Sequence, residues 1–215
     1  MRVCALVGAS DFNEQHFLEQ HFDYIVAVDA GYAHLERIGV KPDAVIGDFD
    51  SLGYVPKHSH LKKLPTRKDK SDIEVALEEV EQSGFDLILV YGCLGGRIDF
   101  TFAMYQLLAH FSRGDAILYA IGLDSVVCTL DEKGRNAISF NAGAQGLLSL
   151  FAFSHEVRGV NESGLEYALD NATLRNDEPL GVSNAFTGRV ARVSIVSGTA
   201  LLFFPIVALG EVFVP

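Results

Sequence analysis

Residues 24–50 read YIVAVDAGYAHLERIGVKPDAVIGDFD and contain a strand–helix–strand pattern in full. The β-rich run 24–28 precedes a short helical pattern that ends at Gly39, and the run 43–46 follows. Similar apolar runs recur through the first 130 residues, at 2–7, 86–92, 115–122 and 125–130. Strands that alternate with helices are typical of an α/β domain with a largely parallel sheet, and we predict that fold here.

The pattern changes after a polar break at 131–136. Beyond it, short β-rich runs are separated by Gly, Asn and Ser, with no convincing helical pattern. The alternating segment 189–196 and the apolar run 199–204 flank Ser197-Gly198, which predicts a two-residue hairpin turn. We therefore predict an all-β, sandwich-like domain after the α/β domain. The predicted boundaries are 1–132 for the first domain and 136–215 for the second.

Composition argues against several classes of protein. The 215-residue chain has a formal net charge of −11, which would repel the backbone of a nucleic acid. The most apolar segment, 200–209, is about half as long as a membrane-spanning helix, so we expect no membrane span. Cys4, Cys93 and Cys128 are widely spaced in or beside apolar runs, which is typical of packing residues in a reduced, cytoplasmic protein.

Acidic residues follow several strands of the predicted parallel sheet. Asp29 follows the second apolar run of the chain, and Asp48 and Asp50 follow the third. Asp99 follows the run 86–92 across a glycine-rich turn. Ligands of open α/β sheets bind at the carboxyl ends of the strands, because the connecting loops converge there. We therefore expect these carboxylates to line one site.

Asp48 and Asp50 are separated by the single residue Phe49. If the extended backbone continues through them, its period of two places both carboxylates on one side and Phe49 on the other. Two like charges at this spacing are tolerated when water reaches both, or when a cation lies between them. Taken alone, the segment predicts either a solvated turn or a metal-binding site.

The motif KDKSDIE places further carboxylates beside the basic stretch 61–70, LKKLPTRKDK. Ser71 and Glu74 form a capping box, which predicts a helix that begins at Asp72, with Asp69 in the loop before it. The basic stretch alone is either a solvated loop or a site for a small anion. Carboxylates beside lysine and arginine suit a Mg²⁺ ion that carries a polyphosphate.

The turn GCLGGRID leads from a strand into an apolar-faced helix predicted over 100–111. Gly95 and Gly96 allow the backbone to approach a phosphate closely, and the helix N-terminus offers amide donors. Arg97 would neutralise charge on a transferring group, and Asp99 would orient a hydroxyl or hold a cationic substrate. The alternative is a glycine turn that carries an ordinary Arg–Asp ion pair.

Together these motifs resemble the thiamine pyrophosphokinases. The resemblance is carried by DAGYAHLERIGVKPDAVIGDFDSL (29–52), TRKDKSDIEVAL (66–77), GCLGGRIDFTFAMYQLL (92–108) and, more weakly, GVSNAFTGRVARVSI (181–195). It spans essentially the whole chain. The family transfers the pyrophosphoryl group of ATP to the hydroxyl of thiamine. The resemblance therefore implies an α/β catalytic domain, a β-sandwich that contributes to thiamine binding, and a homodimer with active sites between subunits.

The resemblance also implies roles for individual residues. The candidate Mg²⁺ ligands are Asp48, Asp50, Asp69 and Asp72. The candidate ATP-binding residues are Asp29, Gly31, Lys68, Asp69, Gly95, Gly96 and Arg97. The candidate thiamine-binding residues are Asp99, Tyr167, Ser183 and Asn184. The candidate catalytic residues are Asp48, Asp50, Asp72, Arg97 and Asp99.

The chain departs from the family pattern in two places. Ser71 stands where the family usually has threonine, which keeps the capping hydroxyl. The family often has a tryptophan that stacks on thiamine, whereas this chain has none and carries Tyr167 in the segment GLEYAL. Tyr167 would present a smaller aromatic face to the thiazolium cation. The alternatives are a pyrophosphokinase for another heterocycle such as a hydroxymethylpterin, a Mg²⁺-dependent phosphohydrolase, and a non-catalytic nucleotide or vitamin sensor.

Overall fold

The computed structural model describes residues 1–213, which form two compact units. Unit 1 comprises Met1–Leu107 and Asp115–Leu123, and unit 2 comprises Leu108–Gly114 together with the chain from Asp124 onward. The compact division therefore lies before the domain boundary that the sequence predicts at 132–136. Among the described residues, no helix has the length and apolar character needed to cross a membrane.

Unit 1 is built on six strands whose pairings are all parallel. The strands are β1 (Val3–Val7), β2 (Tyr24–Val28), β3 (Ala44–Gly47), β4 (Leu61–Lys63), β5 (Leu87–Tyr91) and β6 (Ile117–Ile121). Their order is β6-β5-β1-β2-β3-β4, which confirms the predicted parallel α/β sheet. Because β1 pairs with β2 on one side and β5 on the other, the strand order reverses beside β1. Such a switch point opens a crevice at the carboxyl ends of the strands.

Caps and glycines in the local sequence mark where the helices begin and end. They are α1 (Glu14–Glu19), α2 (Gly31–Arg37), α3 (Asp72–Gln82) and α4 (Ile98–Phe111). The predicted cap of α3 is confirmed, because Ser71 Oγ accepts a hydrogen bond of 3.3 Å from the Glu74 backbone amide. α2 ends just before Gly39, whose φ of +71° stops a helix at little cost. α4 begins two residues earlier than predicted, so Asp99 lies in its first turn.

Unit 2 contains two antiparallel sheets. Its strands are β7 (Ser125–Asp131), β8 (Ala137–Phe140), β9 (Leu147–Ala152), β10 (Glu156–Ser163), β11 (Leu169–Arg175), β12 (Asn184–Ala185), β13 (Ala191–Ser194), β14 (Thr199–Pro205) and, after a 3-10 helix (Ile206–Glu211), β15 (Val212–Phe213). One sheet has the order β12-β9-β14-β7 and the other β11-β10-β13-β8-β15. The rings of Phe140 and Phe204, one from each sheet, lie 5.1 Å apart between centroids. The sheets pack face to face, which confirms the predicted sandwich-like fold.

The predicted hairpin at Ser197-Gly198 is wrong. β13 pairs with β10 and β8, whereas β14 pairs with β7 and β9, so the two strands lie in different sheets. The backbone amides of Val196 and Ser197 donate to Arg158 O instead, at 3.0 and 3.2 Å. A turn that connects two sheets has the same residue types as a hairpin turn. Which of the two turns forms depends on the strand with which the following segment pairs.

Candidate active site

A cavity of about 750 Å³ lies at the carboxyl ends of the parallel strands in unit 1. The loops after β1, β2 and β5 and the first turns of α3 and α4 supply its walls. Its lining includes Gly8, Asp29, Asp72, Gly92, Gly96 and Arg97. The cavity therefore occupies the switch point of the sheet, where a ligand of an α/β fold is expected.

Two glycines bring the ends of β1 and β5 together. A Cβ atom on Gly8 would lie 2.6 Å from Gly92 O, and one on Gly92 would lie 2.1 Å from Gly8 O. Gly92 also has a φ of +61°, which disfavours any other residue. Side chains at these positions would force the two strand ends apart, so both glycines shape the cavity.

The three glycines that were predicted to bind ATP have defined structural roles. Gly31, predicted to bind ATP, is buried at the start of α2, where a Cβ atom would lie 1.9 Å from Val7 O. Gly95 and Gly96 have φ values of +76° and +57° and form the predicted glycine turn. Ser10 Oγ donates to Gly95 O at 2.8 Å, so this turn is fixed to the loop after β1.

Three carboxylates converge at the ends of β2 and β3. Asp29, Asp48 and Asp50 each offer an oxygen within 4.8 Å of the other two. Asp29 Oδ1 is buried and has no hydrogen-bond partner among residues 1–213. The Asp48 side chain is 8% exposed, whereas Asp50 is exposed. This donor set fits a divalent cation, because a cation would offset the mutual repulsion and satisfy the buried oxygen of Asp29.

A left-handed backbone turn, rather than strand alternation, places Asp48 and Asp50. Phe49 has a φ of +64°, so the extended backbone expected through this residue ends at Gly47. The Phe49 side chain is buried, and the Asp50 backbone amide donates to Asp48 Oδ1 at 3.2 Å. A left-handed non-glycine residue costs about 1–2 kcal/mol, which the burial of an aromatic ring offsets.

Lys68 connects two of the predicted carboxylates. Its Nζ lies 2.9 Å from Asp48 Oδ2 and 3.0 Å from Asp72 Oδ1, the second contact being an ion pair without hydrogen-bond geometry. Burial disfavours the charged amine, but the hydrogen bond to Asp48 and the ion pair with Asp72 outweigh burial and raise the pKa of Lys68. Lys68 thus remains a cation that holds the first residue of α3 near the end of β3.

The two carboxylates beside Lys68 titrate differently. The hydrogen bond from Lys68 lowers the pKa of Asp48, although burial opposes that shift. Burial raises the pKa of Asp72, Lys68 opposes this, and the charges of Asp48 and Asp29 add to the rise. Of these two carboxylates, Asp48 therefore holds its negative charge more firmly, and it is the one that belongs to the carboxylate cluster.

The structure brings together only part of the predicted metal set. Asp48 and Asp50 are joined by Asp29, which the sequence placed with the ATP-binding residues. Asp72 reaches the cluster through Lys68. Asp69 is exposed and belongs to no cluster of three such side chains among the described residues. The sequence placed Asp69 by its position in the motif, which does not report how far the loop carries it from the strand ends.

Arg97 and Asp99 form a two-point ion pair. Arg97 Nη2 lies 2.5 Å from Asp99 Oδ2, and Arg97 Nε lies 3.1 Å from Asp99 Oδ1. The Arg97 guanidinium also lies 4.1 Å from the centroid of the Phe100 ring. The hydrogen bond from Arg97 lowers the pKa of Asp99. Both side chains are about two-thirds exposed, so the pair stabilises the fold little and can exchange partners readily.

Sequence reasoning missed the loop after β1, which lines the cavity through Ser10, Asp11 and Phe12. His34 Nε2 donates to Ser10 O at 3.0 Å, and the Phe12 ring stacks on His34 with centroids 5.1 Å apart. These contacts fix the loop against α2. The signal was available, because Gly8 directly follows an apolar run, just as the acidic residues follow the later strands.

The predicted thiamine-binding residues of unit 2 lie next to one another. Asn184 Oδ1 accepts from the Tyr167 backbone amide at 2.9 Å, and Asn184 Nδ2 donates to Tyr167 O at 2.7 Å. Tyr167 is 63% exposed. Ser183 is exposed with a φ of +59°, and its backbone amide donates to Ser149 Oγ at 3.0 Å. Tyr167 and Ser183 thus offer accessible groups, whereas buried Asn184 holds the backbone beside them.

Comparison with known proteins identifies relatives of both units. Residues 16–119 match the family described as thiamin pyrophosphokinase, catalytic domain, and residues 135–201 match its vitamin B1 binding domain. The thiamine pyrophosphokinase of Bacillus subtilis (strain 168) is 24% identical over 191 residues, which cover 82% of this chain and 85% of that protein.

Solved structures of the same family share the fold. A crystal structure of thiamine pyrophosphokinase from Bacillus subtilis superposes with a TM-score of 0.82 at 19% identity, covering 95% of this chain and 99% of that one. The thiamin pyrophosphokinase of Candida albicans gives a TM-score of 0.76 at 17% identity, with coverages of 95% and 89%.

Proposed function

The chain belongs to the thiamin pyrophosphokinase family, and we propose that it converts thiamine and ATP into thiamine diphosphate and AMP. One observation carries this proposal: both functional parts of the family are present in order. The catalytic-domain match contains the carboxylate cluster of Asp29, Asp48 and Asp50. The vitamin B1 binding match contains Tyr167 and Asn184, which contact each other.

The reaction is an in-line displacement at phosphorus. The hydroxyl oxygen of thiamine attacks the β-phosphorus of ATP, and a new oxygen–phosphorus bond forms. The bond from the β-phosphorus to the oxygen that bridges it to the α-phosphorus breaks, AMP leaves, and the hydroxyl proton passes to solvent. Such transfers depend mainly on positioning and on electrostatic stabilisation, so no strong base is required.

ATP would occupy the cavity at the switch point of unit 1. Gly95 and Gly96 allow the backbone to approach the phosphates, and Arg97 lines the cavity beside them. Lys68 adds a second positive charge near Asp48 and Asp72. These groups would hold the polyphosphate and stabilise the negative charge that develops on it during transfer.

Asp29, Asp48 and Asp50 would hold Mg²⁺, because their oxygens converge and one of them is buried without a partner in the described chain. When bound, the ion neutralises negative charge on the phosphate oxygens. Asp72 would act beside this group through Lys68. The exposed Asp69 would at most hold water at the edge of the site.

Candidate residues for thiamine recognition occur in both family matches. Tyr167 offers an exposed aromatic face to the thiazolium cation, and Ser183 and Asn184 flank it. Asp99 matches the positive charge of the ring. Its ion pair with Arg97 is exposed, so ATP phosphates can take Arg97 while thiamine takes Asp99.

Two wider features follow from the same proposal. The protein would act as a homodimer with active sites between subunits. It would work in the cytoplasm, since all three cysteines are free and buried. Burial raises the pKa of each thiol to about 12, so none of them is a nucleophile for the reaction.

The direct test is to incubate the purified protein with ATP, MgCl₂ and thiamine and to identify the products by mass spectrometry. We expect thiamine diphosphate and AMP in equal amounts, with neither formed when thiamine or Mg²⁺ is omitted. AMP release with a hydroxymethylpterin but not with thiamine would reassign the acceptor. Release of inorganic phosphate without any organic acceptor would identify a phosphohydrolase instead.

A further inference from the structure

Glu162 is a buried carboxylate that the proposed reaction does not use. It lies on β10, where it is paired with Leu169 of β11 and Val193 of β13, and it is 3% exposed. Glu162 Oε2 accepts a hydrogen bond of 2.6 Å from Asn184 Nδ2. Since Asn184 lies on β12 of the opposite sheet, this bond joins the two sheets of unit 2.

Asn184 continues a short backbone ladder with its side chain. The Glu166 backbone amide donates to Ala185 O at 3.0 Å, and Leu165 forms an isolated bridge with Phe186. The next pair of bonds runs between the Asn184 amide and the backbone of Tyr167. The Asn184 side chain therefore takes the place of a peptide group and fixes the backbone that carries the Tyr167 ring.

Glu162 completes the hydrogen bonding of that amide. Asn184 Nδ2 has two protons, one of which goes to Tyr167 O and the other to Glu162 Oε2. Without an acceptor at residue 162, one buried N–H group would be left unpaired. The Asn184 amide would then regain a hydrogen bond by rotating away from Tyr167 towards water or another acceptor.

Glu162 acts on a ligand only through this contact. Its second oxygen, Oε1, is buried and has no hydrogen-bond partner within residues 1–213, so a ligand in solution does not reach it. Burial raises the pKa of Glu162, and the hydrogen bond from Asn184 opposes that shift. A carboxylate kept at this cost points to a role beyond packing.

We propose that Glu162 is a positioning residue for thiamine: it holds the Asn184 amide, which in turn holds Tyr167 in place to contact the substrate. The proposal rests on the proposed function, because it assigns Tyr167 to thiamine. It predicts that thiamine binding depends on an acceptor within reach of Asn184 Nδ2 and not on the charge of residue 162.

Two conservative substitutions of Glu162 separate the effect of side-chain length from the effect of side-chain charge. Glu162→Gln loses the charge but keeps an acceptor oxygen at the same distance, whereas Glu162→Asp keeps the charge and is shorter by one methylene. We expect Glu162→Asp to raise the KM for thiamine about tenfold, with the KM for ATP and kcat within about twofold of the wild-type values. Glu162→Gln should stay within about threefold of the wild-type KM for thiamine, as a rescue by the variant that retains the contact.

A double-mutant cycle with Tyr167→Ala completes the test. If Glu162 acts through Tyr167, Glu162→Asp should raise the KM for thiamine by less than about twofold in the Tyr167→Ala background. Calorimetric titration with thiamine alone measures the same affinities without turnover, and the melting temperature of each variant reports folding. Should Glu162→Asp fail to fold, Glu162→Met, which fills the same volume without an acceptor, is measured in its place.

The proposal is overturned if Glu162→Gln raises the KM for thiamine as much as Glu162→Asp, because charge would then matter. It is also overturned if Glu162→Asp leaves that KM unchanged or changes the KM for ATP equally. Wild-type protein that neither binds thiamine nor forms thiamine diphosphate refutes the proposed function itself, and the proposal with it. An active wild type with insensitive Glu162 variants refutes only the present proposal.

Discussion

Asp29 combines two features that few carboxylates share: a buried oxygen without a partner in the described chain, and two other carboxylates within 4.8 Å. Both features are unfavourable in isolation, because one buried oxygen lacks a hydrogen bond and the neighbouring carboxylates repel it. Asp29 also has a φ of +48°, which adds backbone strain at the same residue. Costs that accumulate at one position indicate a site that a ligand completes.

We predict that Asp29→Asn raises the Mg²⁺ concentration for half-maximal activity by about 10–100-fold. The amide keeps the size of the side chain but offers a weaker, neutral oxygen to the cation. The measurement is a Mg²⁺ titration of AMP formation with thiamine and ATP both saturating.

The matched control for Asp29 is Asp69→Asn, which changes an exposed carboxylate outside the cluster. Its half-maximal Mg²⁺ concentration should change by less than about threefold, because exposed groups contribute little. If Asp69→Asn has the larger effect, the metal lies nearer the basic loop than the ends of β2 and β3.

Glu162 also gives a pH-dependent prediction at the residue scale. Burial raises its pKa in the folded state above the ordinary value of 4.5. Its favourable contribution to stability is therefore fully present below pH 4.5 and is lost as the pH rises through the folded-state pKa. The glutamine side chain is neutral at every pH. Between pH 4 and pH 8, the free energy of unfolding of Glu162→Gln should therefore rise by about 1–3 kcal/mol relative to that of the wild type.

Urea unfolding of the wild type and Glu162→Gln at several pH values measures this difference. The exposed Glu166→Gln in the same unit is the control, and its effect on unfolding should not vary with pH by more than about 0.5 kcal/mol. A difference between wild type and Glu162→Gln that stays constant with pH would mean that the buried carboxylate is not destabilised by its surroundings.

At the scale of elements, the start of α3 couples helix stability to the site. Ser71 caps the helix, and the next residue, Asp72, carries the ion pair to Lys68. Ser71→Ala should lower the stability of α3 by about 1 kcal/mol, because the Glu74 backbone amide loses its acceptor. The measurement is amide hydrogen exchange, which we expect to be faster in α3 of the variant.

Ser71→Thr is the matched control for α3, since threonine keeps the hydroxyl that accepts the hydrogen bond. The free energy of opening of α3, as reported by hydrogen exchange, should remain within about 0.5 kcal/mol of the wild-type value. Equal acceleration in the alanine and threonine variants would show that the cap is not what holds the first turn of α3.

Elements with local causes could be predicted from the sequence. α3 begins at Asp72 as predicted, because the Ser71 cap marks its start. α2 ends close to Gly39, as predicted, because glycine marks the end of the helix. The meeting of Asp48 with Asp29 also follows from a simple rule, since parallel strands end at the same edge of the sheet.

Features that depend on distant partners could not be predicted in this way. The turn at Ser197-Gly198 has the residue types of a hairpin turn, yet the backbone amides of Val196 and Ser197 donate to Arg158, on a strand far away in the sequence. The left-handed backbone at Phe49 is favoured by burial of the ring, which no local pattern reports. The contact of Glu162 with Asn184 joins two sheets and spans 22 residues of sequence.

At the scale of the whole molecule, each unit carries its own part of the proposed chemistry. The cavity and the carboxylate cluster lie within unit 1, and the contact of Asn184 with Tyr167 lies within unit 2. The chain passes between the units three times, at 107–108, 114–115 and 123–124. Neither unit is therefore a continuous segment that a simple truncation would release.

The proposed homodimer makes a prediction for α4. Ile98 and Phe102 are 85% and 57% exposed and lie one helical turn apart, on the same face. If a second copy of the chain covers this face, Phe102→Asp should weaken dimerisation by about 2 kcal/mol or more, since buried aromatic contacts dominate interfaces. Light scattering after size exclusion should give twice the chain mass for the wild type and a single chain mass for Phe102→Asp at low micromolar concentration.

Val207→Asp is the matched control for Phe102→Asp, because Val207 is 74% exposed on the 3-10 helix of unit 2. It should keep the wild-type mass. Because the proposed active sites lie between subunits, activity per chain should fall on dilution and should be lower in Phe102→Asp at equal concentration. A wild-type protein that has the mass of one chain and a constant activity per chain over a hundredfold dilution would refute the dimer, while leaving the proposed reaction of a single chain intact.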